Sequence, residues 1–119
     1  MKLHLLFPFL FSIISCTHGK LDDQTIHEEV QHFIHDTSYA YFPPQGFISN
    51  EEVAVRVAEP VLFAIYGEDN IRDQKPYQVN LIDSLWVING TLPIYKDGGC
   101  FFIVINKKDG RILGVTHGK

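Results

Sequence analysis

The chain is poor in cysteine, in long apolar runs and in positive charge. Its 119 residues include two cysteines, Cys16 and Cys100, and ten Lys and Arg against fourteen Asp and Glu, a formal charge of −4. Its one long apolar stretch, residues 3–14, is shorter than the ~20 apolar residues that a membrane-spanning helix needs. Because nucleic-acid binding needs a basic patch, the charge argues against a nucleic-acid partner and suits a basic one.

The apolar stretch is typical of a secretory signal peptide, with Lys2 before it and polar sequence directly after it. It ends in Ile-Ile-Ser-Cys16, which resembles a bacterial lipobox, where a small residue precedes the cysteine that carries diacylglycerol. We therefore expect a lipoprotein signal peptide at residues 1–15 and a tether at residues 16–21. An ordinary cleaved signal peptide and a buried N-terminal helix are the alternatives.

Lipidation of Cys16 would place the protein in the cell envelope, anchored to a membrane on its periplasmic or outer-surface side. Cys100 would then have no cysteine to pair with, so an internal disulfide is excluded. Since Cys100 precedes Phe101 and Phe102, we expect it to be a buried small apolar group rather than a nucleophile.

A first amphipathic helix is predicted at residues 22–38, because apolar residues recur there at helical spacing. Asp22 or Asp23 is suited to cap its start. Residues 39–46 contain two prolines and a glycine, so we expect a loop to follow the helix.

Three histidines, His27, His32 and His35, lie on this first helix. His32 and His35 are one turn apart and could share a metal ion with Glu28 or Glu29. We favour a solvated polar face, because no His-Glu-x-x-His pattern is present, and we predict no metal site and no cofactor.

A second helix is predicted to begin near Ser49, whose spacing from Glu52 fits a capping box. Gly67 is well placed to end this helix. Pro60 lies in its interior and is expected to kink or break it.

The remaining chain predicts four antiparallel strands and an α+β fold in which the N-terminal helices pack on the sheet. Asp83-Ser84 is a hairpin signal between the first two strands, and Asp109-Gly110 fits a tight primed turn between the last two. The predicted strands are residues 77–82, 85–89, 101–106 and 112–116.

The third strand is apolar on both faces, with Phe101, Ile103 and Ile105 on one side and Phe102 and Val104 on the other. A sheet that is covered on one side only should alternate apolar and polar residues. The second face should therefore be covered by the first helix, by the Phe-rich loop or by a partner.

The sequence holds no strong catalytic signal. Glu51, Glu52 and Glu59 could serve as acid and base, but the first two are explained by their place at a helix start. No Gly-x-Ser-x-Gly elbow is present, and Gly98-Gly99 precedes a strand, so it does not form a phosphate-binding loop. We predict that the protein is not an enzyme.

An ordered set of turn and strand residues resembles the bacterial immunity proteins with a nuclear-transport-factor-2-like (cystatin-like) fold, which are small α+β proteins often associated with polymorphic toxin systems. The resemblance covers about residues 46–119. It is carried by Tyr66-Gly67, Lys75-Pro76-Tyr77, the segment Trp86 to Pro93, Gly98-Gly99, the segment Lys108 to Leu113, and Thr116-His117-Gly118-Lys119.

This resemblance implies an immunity-type domain at residues 46–119 with a curved four-stranded sheet, no catalytic residues, and a cognate protein toxin as partner. The matched glycines and Trp86 have structural explanations, so Tyr95, Asp97 and His117 beside them are the expected partner contacts. Combined with the lipobox, it implies a toxin that acts in the envelope.

Two other interpretations stay open. A helix followed by strands that end in Lys-Asp-Gly-Arg-Ile-Leu113 also resembles the PepSY-like envelope regulators, which implies inhibition of a peptidase. Cone-shaped folds of this type often enclose a pocket, so a small-molecule-binding protein or an enzyme is the third possibility.

Overall fold

The structure, a computed structural model, describes residues 19–119. The predicted signal peptide, residues 1–15, and the predicted lipid anchor Cys16 lie outside the described residues. The chain divides into two compact units, Met1–Ala40 and Tyr41–Lys119, and each is described by itself. Within the described part of the chain, no helix has both the length and the apolar character to cross a membrane.

The first unit contains helix α1 (Asp23–His35). The Asp22 carboxylate caps it, accepting hydrogen bonds from the Thr25 amide at 2.9 Å and the Thr25 hydroxyl at 2.8 Å. These bonds stabilise the ionised form and lower the pKa of Asp22. The helix ends at His35, before the predicted residue 38, because the Asp36 carboxylate accepts from the Ser38 amide at 2.9 Å and forms a local turn.

The predicted apolar stripe of α1 is present, but none of its side chains is buried. Among residues 19–119 the structure brings no three His, Cys, Asp or Glu side chains together where they could hold a metal ion. The His32 ring instead stacks on Tyr39 at 4.5 Å. The exposed stripe consists of Ile26, Val30, Phe33 and Ile34.

The second unit begins its regular structure with helix α2 (Glu51–Tyr66). Its cap is Asn50, whose side-chain oxygen accepts from the Val53 amide at 3.0 Å, so the predicted cap at Ser49 is wrong by one residue. Gly67 ends the helix as predicted, with φ of 90° and its amide bonded to the Phe63 carbonyl at 2.9 Å.

Pro60, expected to kink or break this helix, does not break it, since α2 runs through it to Tyr66. Proline removes one backbone donor, and Pro60 lies on the exposed side of the helix, where water can bond the carbonyl that loses its partner.

A short helix, α3 (Glu68–Arg72), follows Gly67 directly and was not predicted from the sequence. Its five residues include a single apolar side chain, Ile71, so no helical periodicity could reveal it. Ile71 is fully buried, and Arg72 pairs with Glu68 at 2.8 Å along the exposed side.

Four antiparallel strands then form a sheet in the order β1-β2-β3-β4, which confirms the α+β class and the strand number. The predicted boundaries are met to within one residue. The strands are β1 (Gln78–Ile82), β2 (Leu85–Asn89), β3 (Phe101–Asn106) and β4 (Ile112–His117).

The primed hairpin turn lies between β1 and β2, where Asp83 and Ser84 have φ of 49° and 61°. The prediction of such a turn at Asp109-Gly110 is wrong, because only Gly110 has a positive φ there, 78°. A longer connection forms instead, since the Asp109 carboxylate accepts from the Arg111 amide at 2.9 Å.

The core lies between α2, α3 and one face of the sheet. The small side chains of Ala54 and Ala58 allow α2 to approach the strands closely, and the Trp86 indole donates to the Ile48 carbonyl at 2.8 Å. The buried cluster consists of Ile48, Ala54, Ala58, Leu62, Ile71, Trp86, Ile88, Phe101, Ile103 and Ile105.

Replacing Trp86 with Phe should lower the free energy of unfolding by about 2 kcal/mol, because it leaves the Ile48 carbonyl without its donor and creates a gap. Denaturant unfolding of the variant and of the parent chain measures this change. Phe47→Leu, at an exposed aromatic, is the control and should shift stability by less than about 0.5 kcal/mol. Equal effects of the two substitutions would contradict the role of Trp86 in stabilising the core.

Candidate functional site

The side chain of Gln74, only 3% exposed, holds together one end of the sheet. Its amide oxygen accepts from the Phe101 backbone amide at 2.8 Å, and its amide nitrogen donates to the Asn70 carbonyl at 3.2 Å. Its own backbone carbonyl accepts from the Thr91 amide at 2.8 Å. A single glutamine therefore ties α3 to the start of β3 and to the segment after β2.

Two glycines provide the space that this arrangement requires. A Cβ atom on Gly90 would clash with the Gln74 amide group, and one on Gly99 would clash with the backbone of Gly118. The Gly118 amide donates to the Cys100 carbonyl at 3.0 Å beside this close approach. Glycine is needed at both positions because backbone and side chain pass where a Cβ would stand.

His117, one of the predicted contact residues, is half-buried in this same network. Its Nδ1 lies 2.7 Å from the Gly118 carbonyl, which can only accept, so Nδ1 carries the proton. Its Nε2 therefore accepts from the Gln74 amide nitrogen at 3.1 Å. The ring also packs at 4.8 Å from Tyr66, so every part of His117 is engaged within the fold.

Tyr95 and Asp97, the other predicted contacts, lie together on the loop between β2 and β3. We call residues 93–98 the tip loop. It turns through a hydrogen bond of 2.9 Å from the Lys96 amide to the Pro93 carbonyl. Tyr95 is 87% exposed and Asp97 is exposed, whereas His117 belongs to the network at the base of the loop.

Sequence reasoning missed Ile94, which precedes Tyr95 in the tip loop and is fully exposed. The sequence offered one signal, a large aliphatic residue in a turn segment bounded by Pro93 and Gly98, but this signal does not distinguish an exposed side chain from a buried one. Cys100, expected to be buried, is only half-buried, because it lies just before the inner strand β3, at the end of the sheet next to Gly118.

A second polar cluster joins α2 to the segment before β1. The Tyr77 hydroxyl donates to the Glu59 carboxylate at 3.1 Å, and the Lys75 ammonium lies 3.7 Å from the same carboxylate. Burial and the nearby Glu59 charge raise the pKa of Tyr77 well above its usual range, so the phenol stays a protonated donor. Glu59 is therefore occupied as an acceptor in a structural contact.

The face of the sheet that points away from α2 carries no ionisable side chain. Strand register places Asn80, Val87, Val104 and Gly114 in one row across it. The next rows are Gln78-Asn89-Phe102-Thr116 and Ile82-Leu85-Asn106. We call these eleven residues the open sheet face.

The open sheet face has an apolar centre and polar, uncharged amides around it. Phe102 is 43% exposed and Ile82 is 55% exposed. Within residues 41–119 no helix packs on this face, because Ala58 of α2 and Ile71 of α3 both join the core on the opposite side. The Phe47 amide pairs with the Lys108 carbonyl, so the end of the Phe-rich loop lies at the turn between β3 and β4.

A shallow cleft of about 250 Å³ lies at the far end of the strands from the tip loop. It is a surface feature of the two hairpin turns, and it lies outside the core between α2 and the sheet. It is lined by Pro43, Pro44, Gln45, Gly46, Ser84, Lys107 and Lys108.

Comparison with known proteins relates the second unit to one family. A family model described as NTF2 fold immunity protein matches residues 53–119. Uncharacterized protein YhhH of Escherichia coli (strain K12) is 38% identical over 78 residues, which is 63% of this chain and 60% of that protein. Uncharacterized protein YbbC of the same strain is 37% identical over 73 residues, which is 60% of each chain.

The chain thus spans about 60% of the length of these curated relatives. No solved structure was found to match it.

Gln74→Leu should lower the free energy of unfolding by about 3 kcal/mol, because the buried Phe101 amide and the Asn70 carbonyl lose their partners. Gln78→Leu makes the same chemical change at an exposed position and should alter stability by less than about 0.5 kcal/mol. Denaturant unfolding of both variants provides the comparison. A Gln74 variant as stable as the Gln78 variant would show that the network does not support the fold.

Proposed function

The chain belongs to the NTF2-fold immunity protein family, and on that premise we propose that it binds a cognate bacterial toxin and neutralises it by protein–protein contact. The open sheet face is the surface we assign to this contact. It supports the proposal because the cores of protein interfaces are depleted in charged residues, and large apolar patches on a monomer mark interaction sites.

The chemistry of the open sheet face fits a protein partner. Val87 and Val104 form a cross-strand pair at its centre and Phe102 lies beside them, so apolar area is available for burial. The Asn80 amide, the Asn89 amide oxygen and the Asn106 amide nitrogen can bond a partner around this centre without the desolvation penalty of a charge. The Asn89 nitrogen and the Asn106 oxygen already bond within the fold. Such an arrangement permits a dry centre with a hydrogen-bonding rim.

We propose that neutralisation needs no catalysis by this chain. Glu59, the one acid–base candidate away from a helix start, accepts a hydrogen bond from Tyr77 and pairs with Lys75. To block a toxin surface, the protein needs only to bind it, and the open sheet face provides area for that contact.

We also propose that Cys16 carries a lipid anchor and that the toxin therefore acts in the envelope, on peptidoglycan, lipid or the membrane itself. The lipobox-like Ile-Ile-Ser-Cys16 and the apolar stretch before it support this part of the proposal. A tethered protein can protect only against a toxin that reaches the same compartment.

Phe102→Lys tests the surface assignment, with toxins encoded by neighbouring genes as partners. A buried charge beside the apolar centre of the contact should weaken toxin binding at least about 100-fold and abolish protection of co-expressing cells. Phe47→Lys is a matched control, because Phe47 is 46% exposed against 43% for Phe102 and lies outside the open sheet face. Calorimetry and a growth-protection assay measure the two effects.

Absence of binding to any neighbouring toxin, together with absence of protection by the parent chain, would refute the immunity function. Equal loss of binding in the Phe102 and Phe47 variants would refute only the choice of surface. Circular dichroism and unfolding of both variants establish that the fold is retained.

Cys16→Ala should release the protein from the membrane fraction into the soluble fraction and leave the folded domain unchanged, because the substitution removes the thiol that carries the lipid. Membrane fractionation followed by immunoblotting measures the distribution, and Cys100→Ala is the matched cysteine control. A Cys16 variant that still fractionates with the membrane would contradict the anchor.

A further inference from the structure

The tip loop presents two large apolar side chains that contribute nothing to the folded core. Ile94 is fully exposed and Tyr95 is 87% exposed, and both lie at the middle of the turn closed by Pro93 and Lys96. A polar residue at either position would serve the fold equally well. Apolar side chains held in water at the tip of a loop therefore require an explanation outside the fold.

The base of the tip loop is fixed. The Thr91 amide bonds the Gln74 carbonyl at 2.8 Å, and the Thr91 hydroxyl donates to the Pro76 carbonyl at 3.0 Å. On the other side, Gly99 packs directly against Gly118. The loop is thus presented on a rigid support, which reduces the entropy lost when its side chains are immobilised in a complex.

The tip loop also continues from the surface assigned to toxin binding. Asn89 and Phe102 form the last cross-strand pair before the chain leaves β2 and returns into β3. Both belong to the open sheet face, so the loop rises from the end of that face where Phe102 lies. One partner can contact both surfaces.

We propose that the tip loop inserts into a concave, apolar pocket of the toxin, with Ile94 and Tyr95 as the inserted side chains. This inference rests on the proposed function and specifies the shape and chemistry of the partner's site. Tyrosine is among the residues enriched at binding hot spots, and an aliphatic neighbour adds apolar area without a polar group to satisfy. A protruding turn of this kind complements a cavity better than a flat surface.

Charge at the tip loop indicates a basic rim around that pocket. Asp97 is exposed and has no ion-pair partner among residues 19–119, whereas the neighbouring Lys96 ammonium lies 3.8 Å from the Asp73 carboxylate. The negative charge next to the inserted pair is therefore available to a partner. Asp97 faces a cation of the toxin in the complex and steers association.

His117 supports the loop and does not contact the toxin. Its ring is held by Gln74, Gly118 and Tyr66, all within the fold. A substitution of His117 therefore affects toxin binding only by changing the stability of the base of the tip loop.

The experiment compares toxin affinities of full-length variants by calorimetry. Ile94→Ala combined with Tyr95→Ala should weaken binding at least about 100-fold, as expected for two hot-spot side chains. The matched control is Ile65→Ala combined with Tyr41→Ala, the same residue types at positions that are 54% and 76% exposed. That control should stay within about threefold of the parent chain.

Two further variants test shape and charge. Ile94→Trp should weaken binding at least about tenfold, because a larger side chain does not fit a pocket filled by isoleucine. Asp97→Asn should slow association at low salt, and the difference should vanish at high salt. His117→Gln should associate with the toxin at the rate of the parent chain under conditions where the variant is fully folded. That result supports a structural role for the histidine.

Parent-like affinity of the double alanine variant would overturn the insertion while leaving the immunity function standing. Unchanged or tighter binding of Ile94→Trp would overturn the concave pocket, since a flat contact tolerates the larger ring. Failure of the parent chain to bind any toxin would remove the proposed function, and this inference would fall with it.

Discussion

The hydrogen bonds of the buried Gln74 side chain fix the relation between the helices and one end of the sheet. Helix α3, the start of β3, the end of β4 and the segment after β2 all bond to this residue or to its neighbours. An unmet bond of a buried amide costs more free energy than a typical met bond contributes, so the network holds as a unit. The same network requires Gly90 and Gly99. A side chain at Gly90 would displace the Gln74 amide group, and one at Gly99 would displace the backbone of Gly118.

The strands give the two proposed contact surfaces a defined relation. The five or six residues of each strand extend about 17–20 Å from the hairpin turns to the tip loop. Open sheet face and tip loop share the β2–β3 pair, and α2 packs behind the same two strands. A partner that engages both surfaces thus meets a support that is braced by the core and by Gln74, which lowers the ordering cost of binding.

Much of this fold could be predicted from local sequence, and the candidate site could be predicted only in part. The apolar run from Phe101 to Ile105 predicted the strand, but both of its faces are apolar, so it did not show which face is buried. Apolar spacing predicted α2. Helix α3 was missed because its five residues hold one apolar side chain. Gln74 bonds to Phe101 and His117, which lie 27 and 43 positions further along the chain. No local sequence pattern reports contacts over such distances. Ile94 was missed because an apolar residue in a loop resembles a core residue until its exposure is known.

The sheet has two outer strands, β1 and β4, and each pairs with a strand on one side only among residues 41–119, beside an uncharged apolar face. Proteins commonly protect such edges with lysines, prolines or bulges, because free edges promote pairing between molecules. In this sheet a register shift at Val104/Ile105 distorts the pairing of β3 with β4. The residues of β1 that lie on the open sheet face carry no charge. The surface that favours recognition therefore also favours aggregation, so the solubility of the unbound protein limits how apolar this surface can become.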